Sequence, residues 1–154
     1  MHRWLWISAF VIAVDQITKW AVFTAMAYQS AIPLLPFFSL VHVHNTGAAF
    51  SFLAGAAGWQ RYVFLAVGVI ASAFILHLIN KHRNEPLMAI SLALILGGAI
   101  GNVIDRMWHG FVVDFFYFHY ESFTFPAFNV ADSAISIGAA MLIMESLLKA
   151  RKHE

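Results

Sequence analysis

The stretch Leu87-Met88-Ala89-Ile90-Ser91-Leu92-Ala93-Leu94-Ile95-Leu96-Gly97-Gly98-Ala99-Ile100-Gly101-Asn102-Val103-Ile104 runs for 18 residues without a charge. A run of that length and polarity reads as a membrane-spanning helix. Three others share its character: Trp4 to Ala27, about Arg61 to Asn80, and Ala127 to Leu148. Of the 154 residues, 61% are hydrophobic and only 11% are charged, with a mean hydropathy of +0.75. A soluble domain carries about 25% charged residues, so this is a membrane α-helical protein. The expectation is four transmembrane helices, near 4–27, 61–80, 87–104 and 127–148, in one integral membrane domain over 1–154. With no cysteine, thiol catalysis, disulfides and thiolate metal sites are excluded. A net charge of +1 gives no ground for a nucleic-acid partner.

Orientation follows from the cations. Arg3 precedes the first run, Lys81 and Arg83 separate the second from the third, and Lys149, Arg151 and Lys152 follow the fourth. Such residues accumulate on the cytoplasmic side, so both termini are expected there. The opposite side receives Tyr28 to Gln60, which has no lysine or arginine, and Arg106 to Pro126. Trp59, Tyr62, Trp108, Phe115, Phe116, Tyr117 and Phe118 crowd that side as interfacial aromatics do. The first run resembles a secretory signal, but it exceeds the usual 7–15 apolar residues and holds Asp15, Gln16 and Lys19, so it is read as a retained span. After Pro33 and Pro36, Phe37 to His44 is rich in β-branched and aromatic residues and predicts one or two short strands. Val112 to Tyr120 has similar composition and predicts a partner, giving a small sheet on the outer face. Gly47, Gly55 and Gly58, beside Phe50, Phe52 and Trp59, suggest a lid over Thr46 to Gly58.

Polar groups inside the spans gather toward the outer ends. Membrane proteins retain such groups mainly where they pair, line a cavity or do chemistry. Asp15 and Lys19 are four apart and face each other on one helix. Asn102 and Arg106 also share a face, with Asp105 beside them, after glycines that permit close helix approach. Asn129 and Asp132 are three apart at the start of the fourth run; a helix N-cap accounts readily for Asn129 and less readily for Asp132, which lies about one turn inside the run. Asp114, in Gly110-Phe111-Val112-Val113-Asp114-Phe115-Phe116, taken alone would pass as a turn residue. Asp114 and Asp132 on one membrane face can share a proton and divide acid and base roles.

Other classes fit less well. A proton-coupled small-molecule transporter is the main alternative, but its carboxylates belong near the midplane. A zinc protease would need His-Glu-x-x-His, which the eight histidines never form. His42 and His44 can share a strand face, as a hydrogen-bonded pair more simply than as ligands.

These residues resemble the bacterial lipoprotein signal peptidases, or signal peptidase II. Asp15-Gln16-Ile17-Thr18-Lys19, Asn45-Thr46-Gly47-Ala48-Ala49-Phe50-Ser51-Phe52, Gly101-Asn102-Val103-Ile104-Asp105-Arg106 with Gly110-Phe111-Val112-Val113-Asp114-Phe115, and Phe128-Asn129-Val130-Ala131-Asp132-Ser133 match the family motifs in order. The resemblance implies four transmembrane helices and an extracytoplasmic β-cradle in the bacterial inner membrane. It implies an aspartyl endopeptidase that removes the signal peptide from a diacylglyceryl-modified prolipoprotein just before the lipidated cysteine. On that pattern Asp114 and Asp132 are catalytic. Asn45, Gly47, Asn102, Arg106 and Asn129 support the substrate or the pair, and Asp15 and Lys19 brace the site. Asp105, also at the outer end of a span, competes for the catalytic role, but an aspartate directly followed by Arg106 is more simply a charge-paired structural residue. No metal or cofactor is implied, a globomycin-type inhibitor is, the surrounding lipid is a partner, and the enzyme is expected to act as a monomer.

Overall fold

The computed structural model describes residues 2–47 and 58–150. Four long helices are α1 (His2–Ala25), α2 (Gln60–Lys81), α3 (Pro86–Trp108) and α4 (Val130–Ala150). Each is long and apolar enough to cross a membrane. The strands are β1 (Ala31–Leu35), β2 (Phe38–Asn45), β3 (Val112–Tyr120) and β4 (Phe123–Thr124). All lie at one end of the bundle; the opposite end holds the tight α2–α3 turn, which Pro86 closes by starting α3 at a position that needs no N–H donor.

In lipid the usual pattern inverts, because the surroundings are as apolar as a core. On α1 the buried stripe is Ser8, Val11, Asp15, Lys19 and Val22, spaced three or four apart, while Trp6, Phe10, Ile17 and Trp20 face outward. The Ser8 hydroxyl donates to the Ala93 carbonyl at 2.7 Å. α3 is the hub, packing against all three other helices. Its Ala89, Leu92, Ala93 and Leu96 join Ile75 and Ile79 of α2 in the core. Glycines set the spacing: a Cβ on Gly97 would stand 2.9 Å from the Ser8 carbonyl, and one on Gly98 2.3 Å from that of Ala131.

The antiparallel sheet has the order β1-β2-β3-β4. Val43 stands opposite Asp114, His44 opposite Val113 and Asn45 opposite Val112. The Phe115 and Phe116 amides both donate to the Phe128 carbonyl, tying the approach to α4 onto β3.

The four helices and the β2–β3 pairing match the sequence expectation, with differences in helix bounds and in the outer strands. α3 continues to Trp108, so Asp105 and Arg106 are helical. α4 begins at Val130 instead of 127, because Phe128 is paired with Phe116. Strands at Ala31–Leu35 and Phe123–Thr124 were not expected; the first tolerates Pro33 because it is an edge. Phe37 to His44, expected as one or two strands, yields one, β2.

Gly98→Ala should push α3 from α4 by setting a methyl against backbone. The expected loss is about 1–3 kcal/mol, the range for overpacking, measured as a lower unfolding midpoint in detergent.

Candidate active site

Two helices bring four polar side chains to one buried point. The Lys19 ammonium lies 2.8 Å from Asp15 Oδ2, 3.1 Å from Asp105 Oδ2 and 3.0 Å from Asn102 Oδ1. An ammonium has three donors, and each is engaged. Asp15 uses Oδ1 to accept the Ala131 N–H of α4 at 2.9 Å, one of the amides a helix start leaves unpaired. Gly101 makes this possible, since a Cβ there would be 2.5 Å from Asp15 Oδ2. Asp105 accepts the Val113 N–H of β3 at 3.1 Å.

These supports converge on Asp114 and Asp132. Asp114 is 2% exposed and receives Asn45 Nδ2 at 3.0 Å and Asn129 Nδ2 at 2.7 Å, one on each oxygen. Asp132 receives Asn102 Nδ2 at 2.9 Å on Oδ1 and the Asn129 backbone N–H at 3.3 Å on Oδ2. The Asp132 N–H returns a bond to Asn129 Oδ1 at 2.9 Å, completing a reciprocal helix cap. Asn129 therefore touches both carboxylates. The side-chain amides have little choice of orientation: Asn102 turns its oxygen to Lys19, and Asn45 turns its oxygen to the Gly47 N–H at 3.0 Å. Burial, then the Asp132 charge, pushes Asp114 up to about 7. A carboxyl so placed holds a proton near neutrality.

Both aspartates border a cavity of about 710 Å³. Asn45, Asn102 and Arg106 share its polar wall, and Phe125, Phe128, Ile135 and Ile137 supply an apolar one. The Arg106 guanidinium donates to the Gly47 carbonyl at 2.9 Å and stands 5.3 Å from the Phe64 ring.

Of the residues singled out from sequence, Asp114, Asp132, Asn45, Asn102 and Arg106 line the cavity. Asn129 and Gly47 bond to those that do. Asp15, Lys19 and Asp105 lie behind them. Asp105 is charge-paired as expected, but with Lys19 in place of Arg106: on a helix, adjacent residues diverge by about 100°, so Asp105 turns to Lys19 while Arg106 turns to the cavity. Asp132 is a capping residue after all, because α4 starts three residues later than the apolar run. Sequence reasoning passed over Gln16 as a site residue. Its amide donates to Asp105 Oδ1 at 2.9 Å and lies 3.2 Å from Asp15 Oδ2 and from the Gly101 carbonyl; its place beside Asp15 within a span was the available signal. The proposed lid over Thr46 to Gly58 falls largely on 48–57, outside the described residues, as does Ala48 to Phe52 of the second motif.

The profile of the family described as signal peptidase (SPase) II matches residues 7–148. The chain belongs to the signal peptidase II family. A lipoprotein signal peptidase of Paraburkholderia phymatum is 52% identical over 148 residues, covering 96% of this chain and 89% of that one. One from Burkholderia mallei is 51% identical over the same shares. Two solved structures, each described as a bacterial membrane enzyme, superpose with TM-scores of 0.88 and 0.83 at 30% identity. They cover 100% and 96% of this chain and 92% and 94% of theirs. Signal peptidase II is a protease of the aspartic type that processes prolipoproteins, and this multi-pass bacterial membrane protein removes their signal peptides. The transporter alternative has no support.

Lys19→Met should strip Asp15, Asp105 and Asn102 of their shared cation. Breaking a buried pair costs about 3–5 kcal/mol. Thermal unfolding in detergent should show that loss, with cleavage reduced below detection.

Proposed function

We propose that Asp114 and Asp132 are the catalytic pair and that they cut just before a diacylglyceryl-modified cysteine at the outer face of the inner membrane. The observation that carries this reading is the joining of two carboxylates through Asn129 at the polar end of an amphipathic cavity. Asp114 carries the shared proton, for it is the buried member and is pushed up to about 7. Asp132 takes a proton from a water placed between the two. The water oxygen bonds to the scissile carbonyl carbon as Asp114 gives its proton to the carbonyl oxygen. The tetrahedral intermediate then collapses. Its C–N bond breaks, Asp132 passes its proton to the departing amine, and a hydroxyl proton of the intermediate returns to Asp114. Asn45 and Asn129 hold Asp114 in line, Asn102 holds Asp132, and Arg106 places positive charge on the cavity wall where the oxyanion develops.

Arg3, Lys81, Arg83 and Lys149 mark the cytoplasmic end, which puts both termini inside and the sheet outside. The acyl chains of the substrate stay in lipid while its peptide enters the cavity along Phe125, Phe128, Ile135 and Ile137. The chain works as a single integral domain and as a monomer, without metal or cofactor, and a globomycin-type inhibitor competes for the same cavity.

Asp114→Asn and Asp132→Asn should each abolish cleavage of a diacylated prolipoprotein, followed by gel shift, while leaving the unfolding midpoint near that of the parent. Normal processing by either would sink the assignment. Chelator should leave the parent enzyme active.

The reaction needs the protonated form of Asp114. Its raised pKa keeps that form through neutrality, and the form is lost as pH rises through about 7. A profile of kcat/KM against pH should therefore fall on the alkaline side, with an apparent pKa near 7 that belongs to the pair. A flat profile from pH 6 to 9 would contradict it.

A further inference from the structure

Three histidines and their aromatic neighbours form a cluster that the cleavage chemistry does not use. His42 Nδ1 lies 2.9 Å from the Met26 carbonyl. A carbonyl only accepts, so this nitrogen carries the proton and Nε2 of neutral His42 is a lone pair. His44 Nε2 lies 3.0 Å from it and must be the donor. The His44 ring stacks on Phe111 at 3.7 Å with planes 15° apart, and on Tyr28 at 4.3 Å. Two stacked neighbours that near can only occupy opposite faces. Phe23 closes the cluster, 5.5 Å from His42 and 5.1 Å from His109. The end of α1, strand β2 and the α3–β3 turn are thus joined through one ring.

His44 is the residue before Asn45, whose amide reaches Asp114, and it borders the same cavity as both aspartates. We propose that His44 is a positioning residue for cleavage: clamped between Tyr28 and Phe111 and bonded to His42, it fixes the β2 backbone from which Asn45 holds Asp114. The ionisable groups around it are His42 on β2, His109 at the end of α3 and the Tyr28 phenol after α1. Across the ladder Asp114 stands opposite Val43, and Arg106 and Asp132 share the cavity wall. Desolvation, with His42 and His109 beside it, lowers His44 below its ordinary value, in keeping with a neutral ring in the hydrogen-bonded form.

The inference rests on Asp114 being catalytic, and it predicts a signature that a merely structural role lacks. The Asn45 bond favours the ionised form of Asp114. Displacing Asn45 therefore raises the alkaline limb of kcat/KM. With a diacylated prolipoprotein, His44→Ala is expected to lower kcat about tenfold, within the cost of sub-ångström misplacement, and to change KM less than about twofold. Its alkaline limb moves to higher pH, and Asn45→Ala reproduces that move. In a double-mutant cycle the two changes together should do no more than Asn45→Ala alone. His44→Phe keeps the stack and should recover most of kcat. If His44→Ala does not fold, His44→Leu set against His44→Phe makes the same comparison. Parental kcat and limb in His44→Ala, full additivity with Asn45→Ala, or no recovery in His44→Phe would each overturn the proposal. Asp114→Asn, run alongside, separates the failures: if it cleaves, the catalytic assignment is wrong, and if it is inactive while His44→Ala is parental, only the positioning role fails.

Discussion

One buried ammonium constrains the whole active region. Lys19 gives its three donors to three groups, and each of those groups holds a different part of the frame around Asp114 and Asp132. Asp15 holds the first turn of α4, Asp105 holds the start of β3, and Asn102 holds the Asp132 carboxylate itself. A cation at 3% exposure is tolerable only when it is fully paired. Two carboxylates against one ammonium leave a surplus of negative charge. The Ala131 and Val113 amides, the Gln16 side chain and the positive end of the α4 dipole offset it.

That arrangement explains why α3 carries glycine where it does. Small residues commonly let membrane helices approach, and Gly97 and Gly98 do this against α1 and α4. Gly101 does something else, since the space a methyl would occupy there is filled by the Asp15 carboxylate. Packing and electrostatics meet in one residue, and the fold cannot be perturbed along this stripe without moving the site.

Much of this was legible in the sequence. Long uncharged runs give spans whatever their order, and cations at their ends give a direction. Asp15 and Lys19 could be paired from spacing alone because both lie on one helix. Contacts between elements were not accessible in that way. Spacing cannot say that Asp105 turns to a lysine 86 positions earlier in place of the arginine beside it. It cannot say that α4 waits for Phe128 to pair with Phe116 before it starts, which is what makes Asp132 a cap. β1 escaped because an all-exposed edge strand with a proline has no alternation to read. His42 and His44 were visible as a pair, but His44 was not visible as the filling of an aromatic sandwich.

The reciprocal cap between Asn129 and Asp132 bears on how the protein is made. Chains emerge from the ribosome N-terminus first. The first three spans can therefore bring Asp15, Lys19, Asn102 and Asp105 together before α4 has been synthesised. At that stage there is one candidate carboxylate at the surface and no second to share its proton. When the last span inserts, the contact that starts its helix also sets Asp132 in place. On the roles proposed for Asp114 and Asp132, the pair is complete only once this last span is in place.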